Sequence, residues 1–288
     1  MDSKELGIVI VFYNPTRENI NAAIKLSEKH SLVIVDNSEI NGSYHIPRAK
    51  IIFLEGNQGI ATALNIGIKD LINDAYKYAL LLDQDSEPED FLILSLLDYI
   101  RESPEKVCLV SPAYYDKAIE RKAEFILCKD NCIERQPAEG NLPISASYVI
   151  TSGSMLKLST LEKIGLMKDD LFIDFVDIEW CLRARYFGYE ILGLPWLTMT
   201  HEIGGEPVRI ARKKYVNHSP IRHYYYFRNV FLLLRLKYIH PQWKKHEMLK
   251  LLPRFIVYAF FTKNRLNHIK AMITGIKDGV LGYSGKKR

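Results

Sequence analysis

Several things are scarce or missing in this 288-residue chain, and each absence narrows its function. No run of 18 apolar residues occurs, so no membrane-spanning helix is expected. The opening "MDSKELGIVIVFYNP" lacks the long apolar core and small-residue cleavage site of a secretory signal, and its "GIVIVFY" reads as a buried strand. Cysteine is sparse: Cys108, Cys128, Cys132 and Cys181, of which only Cys128 and Cys132 lie close together. A lone pair is a weak metal signal, so the thiols read as reduced and structural in a cytosolic protein. No RNA- or DNA-binding motif is visible, which excludes nucleic acid as an expected partner. Acid is scarce at one end. From His201 to Arg288 there are 19 Lys and Arg against 4 Asp and Glu, a balance of +15; the rest holds 20 against 30, a balance of −10. The net +5 therefore divides into an acidic body that can hold cations and a basic end that meets something anionic, or that simply answers the acidic body.

What is present is alternation. "GIVIVFY", "SLVIVDNS", "KIIFLEGN" and "YALLLD" are short apolar runs, separated by "TRENINAAIKLSEKH" and "GIATALNIGIKDLINDAY", whose apolar residues recur at helical spacing. Strands apolar on both faces and alternating with helices predict a parallel, doubly wound α/β sheet. Such sheets bind ligands beyond the carboxyl ends of their strands. Here those ends carry Tyr13, then Asp36, Asn37 and Ser38, then Asn57 and Gly59, then Asp83 and Asp85. "GNQG" lacks the Lys-Ser/Thr of a phosphate loop, so it reads as a turn rather than a nucleotide fingerprint. Asp36 alone reads equally as a turn residue.

The most pointed stretch is "YALLLDQDSEPEDF". An apolar strand runs straight into Asp83 and Asp85, and carboxylates this close repel unless a cation intervenes or water solvates them. Ser86 and Glu89 have capping-box spacing for the helix that follows. Residues from about 118 to 142 read as a loop or hairpin insertion. A strand and Gly153 then precede a helix from about Ser159, and Asp174, Asp177 and Glu179 precede an amphipathic helix carrying Cys181 and Arg183. The strand "EILGLP" and His201 follow.

Taken together, "VFYNP", "VDNS", "GNQGIATALNIGI", "LLLDQDS", "SGSMLKLSTLEKIG", "FIDFVDIEWCLRARYFGY", "THEIG" and "SPIRHYYYFRN" resemble the family-2 glycosyltransferases, inverting enzymes of the GT-A fold, and most closely their bacterial rhamnosyltransferases. The likeness spans Ile8 to about Asn229. It implies a GT-A α/β fold with a mixed, mostly parallel sheet, and a cofactor, Mn²⁺ or Mg²⁺, on an Asp-x-Asp element. Asp85 is then expected on the metal and Asp83 near the metal and the ribose, consistent with the oxygen ligands such ions prefer. It also implies a nucleotide-sugar donor: Asp36 accepting from the pyrimidine, Tyr13 flanking it, and Asn57 and Gly59 shaping the turn beneath. His201 matches a position that completes the metal site. The general base falls in "FVDIEW" and is assigned to Asp177, with Asp174 and Glu179 as rivals, because Val176 stands where the family commonly has an acid. Trp180 and Glu179 are candidates for the acceptor pocket. The expected reaction moves a sugar, most naturally L-rhamnose from dTDP-rhamnose, to a hydroxyl of a glycan or polyprenyl-diphosphate-linked acceptor in cell-surface polysaccharide synthesis. UDP-glucose, UDP-galactose and a non-catalytic nucleotide-sugar-binding protein are the alternatives.

Residues 1–218 are expected to form the catalytic domain and 219–288 a basic, aromatic-rich helical extension. In it Tyr224, Phe227, Phe231 and Leu234 make a stripe, and Pro241 and Pro253 divide about three helices. A cationic helix with apolar bulk suits an anionic membrane surface, placing the protein in the cytoplasm on the inner face of the membrane. A homodimer interface or a bundle packed on the catalytic domain fits the same pattern.

Overall fold

The computed structural model describes residues 4–40, 42–116, 121–201, 205–210 and 213–287, without the side chains of 116 and 201–216. The strands are β1 (Lys4–Phe12), β2 (Leu32–Asp36), β3 (Ala49–Phe53), β4 (Tyr76–Asp83), β5 (Val107–Asp116), β6 (Arg121–Lys122), β7 (Phe125–Cys128), β8 (Ile133–Gln136), β9 (Ile144–Ser145), β10 (Ser154–Lys157), β11 (Glu190–His201), β12 (Gly205–Ile210) and β13 (Lys213–Asn217). The helices are α1 (Arg17–Ser27), α2 (Ile60–Asn73), α3 (Asp90–Glu102), α4 (Leu161–Ile164), α5 (Val176–Tyr186), α6 (Pro220–Leu234), α7 (Pro241–Phe260) and α8 (Arg265–Leu281).

Nine strands form one mixed sheet in the order β3-β2-β1-β4-β10-β5-β11-β9, with β6 on β5. β1–β5 and β11 run one way; β6, β9 and β10 oppose them. The sheet is mostly parallel, as expected. The chain leaves β1 toward β2 on one side and returns to β4 on the other, so the strand order reverses beside β1. A crevice opens at such a switch point. β1 and β2 bury both faces because their interiors are Val, Ile and Leu, which suit a pleated core.

Local details depart from the sequence patterns. The Ser86–Glu89 capping box does not form: Ser86 Oγ lies 2.7 Å from Ser152 Oγ, and Glu89 is the N-cap without a side-chain bond. Thr16 and Asn19 make the capping box that is present, on α1. The 118–142 insertion contains the β7–β8 hairpin. α5 is buried on nearly every side rather than amphipathic, since it lies between the sheet and the carboxyl-terminal helices.

The 218/219 boundary does not divide the core. Phe227, Val230 and Leu233 of α6 join the same apolar cluster as Val9, Leu64 and Trp180. Pro241 starts α7, as the sequence indicates. Pro253 lies inside α7 without ending it: Leu249, whose carbonyl loses its partner there, is exposed to water. α8 lies close on α6 because Gly275 and Gly279 face its backbone; a Cβ at either would come within 2.4 and 2.6 Å of the Tyr224 and Arg228 carbonyl oxygens.

Candidate active site

A cleft of about 1550 Å³ lies over the carboxyl ends of β1 and β4, under the carboxyl-terminal helices. That exceeds the volume of a typical single-ligand pocket. Tyr13 and Gln84 form its floor. Tyr13 donates its backbone N–H to Gln84 Oε1 at 2.7 Å, and Gln84 Nε2 returns a bond to the Tyr13 carbonyl at 3.3 Å. Gln84 is thus the brace between the two strand ends, not a spacer between acids. Beside it, the Asp83 backbone N–H donates to Ser152 Oγ at 3.0 Å.

The β2 and β3 ends carry an amide network. Asn37 Nδ2 donates to Asn57 Oδ1 (3.1 Å), Asn37 Oδ1 accepts from the Gln58 N–H (2.7 Å), and Asn57 Oδ1 accepts from the Gly59 N–H (2.9 Å). Gly59 has φ of +92°, and a Cβ there would meet Phe172 at 2.7 Å. The close approach lets the Phe172 carbonyl accept from the Ile60 N–H at 2.8 Å, capping α2. Asn37, Asn57 and Gly59 line the cleft. Asp36 is fully buried and does not: Oδ1 accepts from the Ser38 N–H (2.9 Å) and Oδ2 from Tyr44 Oη–H (2.8 Å). The structure therefore shows Asp36 holding the loop that carries Asn37, with Tyr44 over its carboxylate.

Asp177 sits in the first turn of α5 and lines the opposite wall. Burial pushes its carboxyl up to about 6 and the Asp83 charge adds to this, while the Ile178 N–H, which donates to Oδ1 at 2.8 Å, pulls the other way. The segment ahead of it is strained. Phe172, Asp174 and Phe175, none of them glycine, have φ of +64°, +66° and +67°. Buried Asn229 holds it there, its Nδ2 donating to the carbonyls of Leu171 (2.9 Å), Ile173 (2.8 Å) and Asp174 (3.0 Å). Arg228 adds a bond to the Leu171 carbonyl at 2.9 Å.

Both rivals of Asp177 have other partners. Asp174 is clasped by Arg222, whose Nε and Nη2 lie 2.9 and 2.6 Å from its oxygens. Glu179 has no exposed surface; it pairs with Arg183 at 2.8 and 3.0 Å and accepts from Tyr238 Oη–H at 2.5 Å. Trp180 is 1% exposed and donates to the Gly165 carbonyl at 2.9 Å. Neither lines the cleft, where an acceptor pocket was expected to include them: on a buried helix they point into the core.

Asp85 is exposed and lies outside the cleft lining, whereas Asp83 is part of it. His201 ends β11 opposite Asp116 in register, and its side chain is outside the described residues. Among the described residues no three His, Cys, Asp or Glu side chains converge on a metal-sized site. The donor set still fits Mg²⁺ or Mn²⁺ held by one or two carboxylates together with ligand phosphates, because Asp83 brings hard oxygen to the cleft and its charge already bears on Asp177.

The sequence pattern places Asn37 at the strand edge without a role of its own, and it assigns none to Ser152, Arg222, Asn229, Lys286 or Lys287. "SPIRHYYYFRN" contains Arg222 and Asn229, and that basic, aromatic string was the one available signal.

Residues 7–165 match the family described as Glycosyl transferase family 2. The dTDP-rhamnosyl transferase RfbF of Shigella flexneri is 33% identical over 97% of both chains. A poly-beta-1,6-N-acetyl-D-glucosamine synthase of Staphylococcus epidermidis is 26% identical over 69% of this chain and 51% of its own. Among solved structures, GalNAc-T7 with UDP, GalNAc and Mn²⁺ superposes with a TM-score of 0.56 at 14% identity, over 90% of this chain and 57% of that one. This last likeness concerns the fold, and it is the GT-A-like arrangement expected.

Proposed function

The chain belongs to glycosyl transferase family 2 and is a glycosyltransferase, and from that premise we propose that it transfers L-rhamnose from dTDP-rhamnose to a hydroxyl acceptor with inversion. The observation that carries the donor is the 33% identity to a dTDP-rhamnosyl transferase along nearly the whole of both chains. What carries the chemistry is Asp177: a carboxylate in the cleft wall, with its pKa raised toward neutrality, on a segment fixed by Asn229. Single displacement needs a base for the acceptor hydroxyl. Asp177 takes that proton; Asp174 is left to orient Arg222.

In this reading the donor lies over Tyr13, Asn37, Asn57 and Gly59, with Asp36 acting through the loop it holds. Mg²⁺ or Mn²⁺ would sit on Asp83, with Asp85 and His201 as further candidates, and would neutralise charge on the departing diphosphate. Gln84 keeps Tyr13 and Asp83 in register while the acceptor enters between Asp177 and α7. The acceptor is a glycan or a polyprenyl-diphosphate-linked one, and the pathway a cell-surface polysaccharide. No helix among the described residues is long and apolar enough to cross a membrane. A peripheral site on the inner membrane face is supported by exposed Leu252, Ile256 and Phe260 on α7 and by Lys263 and Arg265 beyond them. A homodimer through that face is the competing reading.

The test is a panel of dTDP- and UDP-sugars with purified enzyme, followed by NMR. Turnover of dTDP-rhamnose over UDP-glucose and UDP-galactose, with inverted configuration in the product, is expected. Preference for a UDP-sugar would overturn the donor, and retention would overturn the mechanism.

A further inference from the structure

The chain does not stop at α8. Gly282, with φ of +85°, turns it back, and the segment to Lys287 runs to the mouth of the cleft. Ser284 Oγ donates to Asp170 Oδ1 at 2.9 Å, and the Gly285 N–H donates to the Asp170 carbonyl at 2.7 Å. The Gly285 carbonyl accepts from Arg228 Nη1 at 2.5 Å, and the Lys287 N–H donates to Tyr225 Oη at 2.9 Å. Tyr225 stacks on Phe172 at 4.8 Å and 15°, and Phe172 caps α2 through Ile60. The segment is therefore tied, by two intermediaries, to the turn that holds Gly59.

Its two lysines line the cleft. Lys286 Nζ lies 3.4 Å from Glu39 Oε1, both side chains more than half exposed. Lys287 Nζ lies over the Tyr224 ring at 4.7 Å. Two other cleft cations have closer partners: Arg222 is clasped by Asp174, and Lys250 lies 2.7 Å from Glu247 Oε1; Arg254 lies over the Tyr226 ring at 4.3 Å. An exposed pair such as Lys286–Glu39 is worth little and exchanges easily.

We propose that Lys286 and Lys287 contact the phosphates of the donor's nucleoside diphosphate, so that Gly282–Lys287 is a working part of the donor site. The proposal rests on the donor reading above. Glu39 lines the cleft too and would repel a diphosphate, as Asp83 would without the metal it is proposed to hold. Phosphate oxygens offer Lys286 stronger charge-assisted hydrogen bonds than an exposed carboxylate does. Binding would move Lys286 from Glu39 to the ligand and leave Glu39 solvated.

The test compares full-length wild type with the double variant Lys286→Gln/Lys287→Gln, by calorimetry with dTDP and by ligand-observed NMR with thymidine, at one fixed Mg²⁺ concentration. Losing charge-assisted bonds lowers affinity about tenfold or more. The expected result is that loss for dTDP, unchanged thymidine binding, an unchanged thermal midpoint and recovery in Lys286→Arg/Lys287→Arg. Equal dTDP affinity within about twofold, or equal loss of thymidine, overturns the proposal. Wild type that binds dTDP normally beside an unaffected variant leaves the donor reading standing; wild type that binds no nucleoside diphosphate overturns both.

Discussion

Asp177 and Glu179 are two residues apart on one helix and do different things. Asp177 faces the cleft; Glu179 is locked between Arg183 and Tyr238. Replacing Asp177 with Asn keeps size but removes the proton acceptor. We expect kcat to fall on the order of 10²-fold or more with dTDP affinity retained; steady-state kinetics beside calorimetry reads both. Glu179→Ala should instead leave Arg183 buried and unpaired, costing about 3–5 kcal/mol of stability, which denaturant melts would measure. The raised pKa of Asp177 sets the sign of two pH effects. As a base it must be ionised, so kcat/KM should fall as pH drops through about 6. For stability, an acid with its folded pKa above its unfolded one favours folding at low pH, and this is lost as pH rises through about 6. Asp177→Asn should accordingly melt higher than wild type at pH 7.5, with the gap closing as pH is lowered. A gap that widens on acidification would refute the burial argument. The acids themselves were legible because strand ends and a helix start hold few alternatives. Which carboxylate is buried, clasped or open was not: Tyr44 over Asp36 and Arg222 on Asp174 come from residues 8 and 48 positions away.

At the scale of elements, the parallel strands and the helices between them were readable from periodicity, because a two-sided strand and an amphipathic helix repeat differently. α5 was misread as amphipathic since helices on its outer side bury what would otherwise be its wet face. The strained segment 172–175 left no trace in sequence: no glycine marks its positive φ angles. Its support comes from α6, where Asn229 satisfies three carbonyls at once. Asn229→Ala would take this partner from the partly buried Ile173 and Asp174 carbonyls, at about 1–3 kcal/mol for each unsatisfied group, while the Leu171 carbonyl keeps Arg228. We expect a lower thermal midpoint and, in the protein that remains folded, a larger drop in kcat than in dTDP affinity, because Asp177 follows directly on the loosened segment. Scanning calorimetry and single-turnover kinetics would test this; unchanged kcat would mean that α6 only stabilises.

At the scale of the molecule, the sequence displayed its charge division openly, but the fold decides how the charge is used. From Lys213 to Lys277 the one acid is Glu247, and it is buried against Tyr226 and Lys250. Several of the cations line the cleft, as Arg222, Lys250 and Arg254 do. The aromatic stripe expected at a membrane turns inward, since Tyr224 and Phe227 are buried in the core. Among the described residues, one exposed apolar surface lies on α7 and the turn after it. Leu252, Ile256 and Phe260 recur every four residues, so they share one helix face; Phe261 and Lys263 in the turn and Arg265 and Leu266 at the start of α8 follow in the chain, all exposed. Apolar side chains beside cations fit an anionic bilayer interface. Truncation near His218 cannot test this, because it would strip Phe227, Val230 and Asn229 from the core. Point variants can. With vesicles containing phosphatidylglycerol, wild type should co-sediment, and binding should decline with salt as charges are screened. Lys263→Gln/Arg265→Gln should remove the salt-sensitive part, and Leu252→Ser/Ile256→Ser/Phe260→Ser the part that survives high salt. Inserted side chains are worth roughly 1.5–3 kcal/mol each, so the triple variant should lose binding even where the charges are intact. Co-sedimentation identical in all three proteins, or none for wild type at low salt, would refute a membrane role; a concentration-dependent dimer by light scattering, abolished in the triple variant, would assign the same face to a second copy of the chain.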